Sequence, residues 1–327
     1  MLERPSTQRV TRLAPSPTGT LHLGNALTFM VNWAIARRLG WRVILRIEDL
    51  DVGRVREGAD QEAIDVLRWL GMDWDEGPAY QSADLSPYHG ALQGLRDQGL
   101  IYPCDATRKE IELAASAPHA SDLETRYPGL NRPANGRWVA DHDTPDLLAD
   151  DPYAWRLIVP DRHIDFTDEL QGPDAINVQS QVGDFVLATK AGLPAYQLAV
   201  VVDDARQGVT DVVRGDDLLN STPRQVLLYR MLGLGEPPRY WHLPLVTSAD
   251  GRRMAKRDDA VRLTTYRDAG VPGDRVVGLL AKWAGLTEAY EEVSADGFAD
   301  RLNPAEIGYA PPSFTPEDEQ WLMSTRA

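Results

Sequence analysis

Residues 12–25, RLAPSPTGTLHLGN, have the types and spacing to hold a polyphosphate. They read as a strand running into a Pro- and Gly-rich turn and then a helix start. Such a turn brings backbone N–H groups and the positive end of a helix dipole to one point. His22 adds a donor beside that point, and Gly24 removes a side chain that would block close approach. Far downstream, Arg253-Met254-Ala255-Lys256-Arg257 places a basic cluster on a Gly-containing loop. Lysine is scarce: Lys109, Lys190, Lys256 and Lys282 are the only lysines among 34 basic residues. Lys256 therefore stands out, because a compact ammonium is not equivalent to a planar guanidinium at a phosphate.

The elements that must position these residues alternate between strand and helix. VTRLAP reads as a strand, a helical run follows from Asn25 to about Leu39, and the β-branched RVILRI at 42–47 reads as a second strand. Apolar positions at Ala63, Val66, Leu67 and Leu70 mark another helix. This order predicts an α/β fold with a parallel sheet and crossover helices, its ligand at the carboxyl ends of the strands. From 101 to 182 prolines and Asp-rich turns dominate, which predicts an inserted subdomain. Alternating strands are expected to return in FVLATKAGLPAYQLAVVVDDARQGVTDVVRG, before Ser221-Thr222-Pro223 caps a helix reaching about Leu232. The chain then divides into 1–100 and 183–245 as two halves of one catalytic domain, 101–182 as the insertion, and 246–327 as a basic loop with a helical region. VVGLLAKWAGL carries that helicity, and the Pro-rich tail is expected to pack on the body.

Bulk properties narrow the class. A length of 327 residues supports one large α/β domain with appended elements. No apolar stretch is long enough to span a bilayer, and the lone Cys104 fits a reducing compartment. A soluble cytoplasmic protein is expected. The net charge of -15 argues against non-specific coating of nucleic acid. A specific RNA contact would need a local basic track, for which Arg108, Lys109, Arg224 and Arg230 are candidates.

Together the two basic and phosphate-binding motifs resemble the HIGH and KMSKS signatures of class I aminoacyl-tRNA synthetases. RLAPSPTG, RIEDLD, PAYQLAVVVDDARQGVTDVVRGDDLLNSTPRQ and RMAKR, in that order, resemble glutamyl-tRNA synthetase catalytic domains. They look closest to the truncated paralogues, the glutamyl-queuosine tRNA(Asp) synthetases. The stretch after Arg257 offers room for a helical stem-contact piece and none for a separate anticodon-binding domain. The resemblance implies a Rossmann-like catalytic domain that activates glutamate with ATP, accompanied by Mg2+. It implies transfer of the glutamyl group to the queuosine base in the anticodon arm of tRNA(Asp), by a protein acting as a monomer.

Site residues follow from the same resemblance. His22, Asn25 and Lys256 are the catalytic candidates, with His22, Gly24, Asn25, Arg253 and Lys256 around ATP. Glutamate would meet Arg12, the backbone of Leu13, Ala14 and Pro15, then Ser16, Glu48 at its α-amino group, Tyr196, and Arg214 near its side-chain or α-carboxyl end. No protein nucleophile is needed, and no general base is assigned. Asp203 and Asp204, expected at a strand end, read equally as base candidates or as turn-forming carboxylates.

The chain also departs from the family. Relatives build a zinc site from Cys-x-Cys and a later Tyr-x3-Cys; here these positions read Cys104, Ala106, Tyr127 and Asn131. Two thiolates are missing, so no structural zinc is expected, and His119 reads as a solvated side chain. Arg253 and Ala255 replace the first lysine and the serine of KMSKS, and Ala205 replaces a histidine after the paired aspartates. Three other readings stay open: a truncated glutamyl-tRNA synthetase charging an acceptor end, a small-molecule glutamate ligase of the same superfamily, and an inactive RNA-binding paralogue.

Overall fold

The computed structural model describes residues 8–114, 126–141, 144–150, 152–248, 262–308 and 310–324. The first half alternates as β1 (Val10–Leu13), α1 (Leu23–Leu39), β2 (Arg42–Ile47), α2 (Ala59–Trp69), β3 (Glu76–Tyr80) and α3 (Ser86–Asp97). β1, β2 and β3 form a parallel sheet in that order, as expected from the alternation. β2 is apolar on both faces apart from Arg42 at its start and Arg46, because helices cover both sides. α1 stops where Gly40 turns left-handed at φ 67°, donating its N–H to the carbonyls of Ala36 and Arg37.

The middle of the chain supplies β4 (Ile101–Cys104), α4 (Arg108–Ala114), β5 (Ala154–Leu157), β6 (His163–Asp168), β7 (Gly172–Asn177), α5 (Val178–Gln181) and β8 (Val186–Ala188). β4, β5 and β8 make an antiparallel sheet. α6 (Tyr196–Arg206), β9 (Asp211–Gly215), α7 (Thr222–Leu232) and β10 (Arg239–Leu243) follow. β10 pairs in parallel with β9 and β6, so a second sheet runs β7-β6-β10-β9. Pairing thus crosses residue 182 in both directions: β8 joins β5, and β6 joins β10. β9 lies beside β1, where Thr210 N–H donates to the Val10 carbonyl at 2.9 Å.

The remainder contains β11 (Thr247–Ser248), α8 (Leu263–Asp268), α9 (Gly273–Trp283), α10 (Ala295–Arg301), β12 (Ser313–Phe314) and α11 (Pro316–Met323). The tail packs on the body: β12 pairs with β11, and Phe314 meets Trp283 edge-on at 6.2 Å. α9 seats so closely on the end of α2 that a Cβ at Gly273 would lie 2.0 Å from the Trp69 carbonyl oxygen. One apolar core joins α1, α2 and these C-terminal helices, and a second joins the insertion to α6 and α7.

Two expectations are corrected here. The run YQLAVVVDDAR is helix α6, not a strand. Its valines favour strands, but residues 197–204 are all buried, and a helix apolar on every side overrides that preference. Asp203 and Asp204 therefore sit in the last turns of a helix, neither at a strand end nor in a turn. Ser221 precedes α7 without capping it by side chain; its hydroxyl accepts from Gln197 Nε2 at 3.1 Å instead. Pro223 does fall in the first turn of α7.

Candidate active site

The phosphate-type turn is built by a capping box. Asn25 N–H donates to His22 Nδ1 at 3.3 Å, and His22 N–H donates to Asn25 Oδ1 at 3.2 Å. This use of Nδ1 as acceptor puts the proton of a neutral ring on Nε2, which makes that atom a donor. Gly24 is needed for the ring itself, since a Cβ there would sit 3.1 Å from the imidazole. Asn25 Oδ1 belongs to the cap, which leaves its amide N–H2 as the group able to meet a phosphate. Arg253 and Lys256 lie outside the described residues, as do Met254, Ala255, Arg257 and His119. Both flanks of that stretch reach the His22 turn, however. Val246 lies against Gly24, and beyond the stretch Arg262 bridges to His22 while Leu263 N–H donates to the Leu21 carbonyl at 2.9 Å.

A second cluster forms where β1, β2 and β9 end. Arg12 is the penultimate residue of β1, Glu48 follows β2, and Arg214 lies near the end of β9. Pro15 holds the turn to β2 by accepting from Glu48 N–H at 3.1 Å. Leu13 is wholly core, Ala14 half-buried, Pro15 buried and Ser16 exposed, so this segment can offer backbone and the serine hydroxyl. Arg12 is buried with Nε 3.5 Å from Asp204 Oδ1. Tyr196 opens α6 and keeps 40 % of its surface free. Desolvation nonetheless raises its hydroxyl pKa, with Arg214, Glu48, Arg12 and Asp204 as charged neighbours.

The sequence reading missed the residue that organises this cluster. Arg46 is fully buried and donates to Asp204 at 2.7 Å, Gln207 at 2.9 Å and Glu48 at 3.1 Å. Burial alone would lower its pKa; Asp204, Glu48 and Asp203 more than reverse that, and the guanidinium stays charged. Glu48 goes the other way. Burial raises its carboxyl pKa above the usual range, outweighing Arg46 and Arg12. The one sequence signal for Arg46 was a charge inside an otherwise apolar strand, which demands a buried partner. Asp203 and Asp204 supply partners rather than a base: Asp204 serves Arg46 and Arg12, and Asp203 accepts from Gln81 Nε2 and Tyr88 OH, each at 2.8 Å. Ala205 packs on the second core.

Arg214 differs from the expected open fork. Nε donates to His242 Nε2 at 3.0 Å, Nη1 to Gln225 Oε1 at 2.8 Å, and Nη2 to Thr222 Oγ1 and the Leu218 carbonyl at 2.8 and 3.2 Å. One Nη1 hydrogen of the five N–H groups is left for a ligand. The basic track also changes, because Arg224 is buried while Arg108, Lys109 and Arg230 are exposed.

In the insertion, the four positions that correspond to zinc ligands gather around a small apolar cluster. Cys104 Sγ lies 3.2 Å from Tyr127 OH and 3.6 Å from Asn131 Oδ1, and the Arg156 guanidinium lies 3.7 Å over the Tyr127 ring. One thiol, a phenol and an amide oxygen are a poor donor set for tetrahedral zinc.

A parallel sheet that gathers arginines and a carboxylate at its strand ends, beside a histidine-capped phosphate turn, defines a class I amino-acid-activating core. Residues 8–303 match the family described as tRNA synthetases class I (E and Q), catalytic domain. A glutamyl-Q tRNA(Asp) synthetase of Nitratidesulfovibrio vulgaris is 45 % identical over 283 residues, 84 % of this chain and 86 % of that protein. A glutamate–tRNA ligase of Nitrosomonas europaea is 37 % identical over 314 residues, 95 % of this chain and 65 % of that protein. The solved glutamate–tRNA synthetase of Elizabethkingia anophelis superposes with a TM-score of 0.80 at 26 % identity, over 97 % of this chain and 70 % of that one. The chain belongs to the class I synthetase family for glutamate and glutamine, in its glutamyl-Q tRNA(Asp) synthetase branch.

Proposed function

We infer that this protein activates glutamate with ATP and transfers it to the queuosine base in the anticodon of tRNA(Asp). The observation that carries the first half is the mixed-charge cleft at the strand ends. Glu48 offers a carboxylate for an α-ammonium, Arg12 and the remaining Arg214 N–H offer donors for carboxylates, and Tyr196 stands at the mouth. A carboxylate oxygen of glutamate attacks the α-phosphorus of ATP, the bond to pyrophosphate breaks, and glutamyl-adenylate forms. The chain's part is to align these atoms and stabilise charge building on the phosphates. The His22 Nε2–H and Asn25 amide serve one side of the triphosphate, and Lys256 with Arg253 close the other. Among the described residues the His22 turn presents N–H donors, and Mg2+ accompanying ATP would be held mainly by phosphate oxygens. Asp203 and Asp204 are committed to Gln81, Tyr88, Arg46 and Arg12, which supports a transfer step without a protein base. In that step a queuosine hydroxyl attacks the glutamyl carbonyl and AMP leaves.

The choice of acceptor rests on higher identity to a glutamyl-Q tRNA(Asp) synthetase than to a glutamate–tRNA ligase. Among the described residues no helix is long and apolar enough to cross a membrane, and we place the protein in the cytoplasm as a monomer. Radiolabelled glutamate offered with tRNA(Asp) should label only the queuosine-bearing form. Equal labelling of unmodified tRNA(Glu) would overturn the assignment in favour of acceptor-end charging.

A further inference from the structure

Arg214 is held by a buried histidine whose other nitrogen is held in turn by a carboxylate. His242, on β10, is fully buried; its Nδ1 lies 2.6 Å from Asp168 Oδ2 and its Nε2 accepts from Arg214 Nε. Asp168, at the end of β6, cannot rotate away. Its Oδ1 accepts from the N–H groups of Leu170 and Gln171, each at 3.0 Å, and its Oδ2 also accepts from His242 N–H at 3.1 Å. A carboxylate only accepts, so His242 Nδ1 must carry the proton, and Nε2 is left as a lone pair aimed at Arg214. Thr222 Oγ1, 3.2 Å from the same nitrogen, completes the seat. The opposite tautomer would point an N–H at the Arg214 Nε–H and break the seat.

We propose that Asp168 and His242 are positioning residues that fix the plane of Arg214 through one histidine tautomer, and so set which single N–H the glutamate pocket receives. Neither touches substrate; both act through Arg214. The three other Arg214 acceptors, Gln225, Thr222 and the Leu218 carbonyl, lie on α7 and the turn before it, so among the described residues the imidazole is the hydrogen-bond acceptor that ties Arg214 to β10, where the Tyr240 ring also lies 5.2 Å from the guanidinium.

The inference rests on the glutamate-activating reading, and two measurements separate their fates. In the wild-type protein, 15N spectra of the imidazoles should find His242 protonated at Nδ1 and bare at Nε2; this needs no activity, and a proton on Nε2 would overturn the proposal outright. In glutamate-dependent pyrophosphate exchange, Asp168→Asn keeps the shape of Asp168 but turns an amide N–H2 toward Nδ1, forcing the proton to Nε2. Its KM for glutamate should rise about tenfold or more, the cost of losing a hydrogen bond to a charged group, with KM for ATP nearly unchanged. His242→Gln returns an acceptor to Arg214 and should recover most of that loss. A folded Asp168→Asn enzyme with the wild-type glutamate KM, or a His242→Gln enzyme impaired as badly as His242→Ala, would refute it. Absence of exchange in the wild type itself would strike the functional reading and leave the tautomer measurement standing.

Discussion

At the scale of single residues, the pocket trades stability for binding, and Glu48 shows the sign. Its carboxyl pKa is raised in the folded state, burial outweighing Arg46 and Arg12. The folded protein therefore holds that proton more readily than the unfolded chain. Ionising Glu48 lowers stability as pH rises through its folded pKa, and the loss is complete above it. Glu48→Gln copies the neutral form and leaves Arg46 its contacts with Asp204 and Gln207. The variant should melt at or above the wild-type temperature at neutral pH, while its KM for glutamate in the exchange reaction rises on the order of 10- to 100-fold. A clearly lower melting temperature would mean that the Arg46–Glu48 pair stabilises the fold on balance. Wild-type exchange should also fall on the acid side at a pH above the ordinary glutamate value of about 4.3, because the ammonium of the substrate needs the ionised form. His22 separates in the same way. His22→Asn keeps a good N-cap for α1 but removes the imidazole N–H. Stability should hold, while the activation rate falls on the order of 100-fold. An unchanged rate would take His22 out of the chemistry.

At the scale of elements, the insertion is tied together by a buried carboxylate. Asp184, just before β8, has no exposed side-chain surface. It accepts from Tyr102 OH and Val159 N–H at 2.9 Å each and pairs with Arg132. These contacts tie β4, the loop carrying Arg132 and the end of β5 to one point. Asp184→Ala should cost roughly 3 kcal/mol by taking the carboxylate from Arg132, Tyr102 and the Val159 N–H, read as a fall in chemical-denaturation midpoint. Excess chelator should leave that midpoint where it was; a drop on chelation would show that a metal holds the insertion after all. The same element scale explains what was legible beforehand. β2 matched its expected bounds because RVILRI states its preference locally, and α1 ended at Leu39 because Gly40 follows. α6 was not legible, because its helix depends on neighbours that cover every face. The pairings of Arg46 with Asp204 and of His242 with Asp168 escaped for a related reason. Arg46 reaches Asp204 across 158 positions and His242 reaches Asp168 across 74, and no local pattern encodes such pairs. Arg12, His22, Glu48 and Arg214 were expected from the family resemblance rather than from local pattern, and the structure places each at or near the end of a strand or helix.

At the scale of the whole molecule, charge decides how an acidic protein meets RNA. The chain carries 49 acidic and 34 basic residues, and many arginines are already paired: Arg12, Arg46, Arg132 and Arg275 all face carboxylates. Arg224 is buried, which removes it from any outer track. The excess of carboxylates works against phosphate contacts, so recognition should lean on the modified base and the shape of the anticodon arm. Salt gives the test. Log affinity falls by about 0.7 per phosphate contact per tenfold rise in salt for single strands, so a protein making a couple of contacts should lose roughly tenfold or less between about 50 and 200 mM salt. The KM for queuosine-bearing tRNA(Asp) should follow that shallow slope, and the tRNA-free exchange reaction should stay level over the same range. A slope several times steeper would instead show a basic face that makes many phosphate contacts. A parallel fall in exchange would instead place the salt effect in the mixed-charge cleft of Arg12, Glu48 and Arg214, where we propose the amino acid binds.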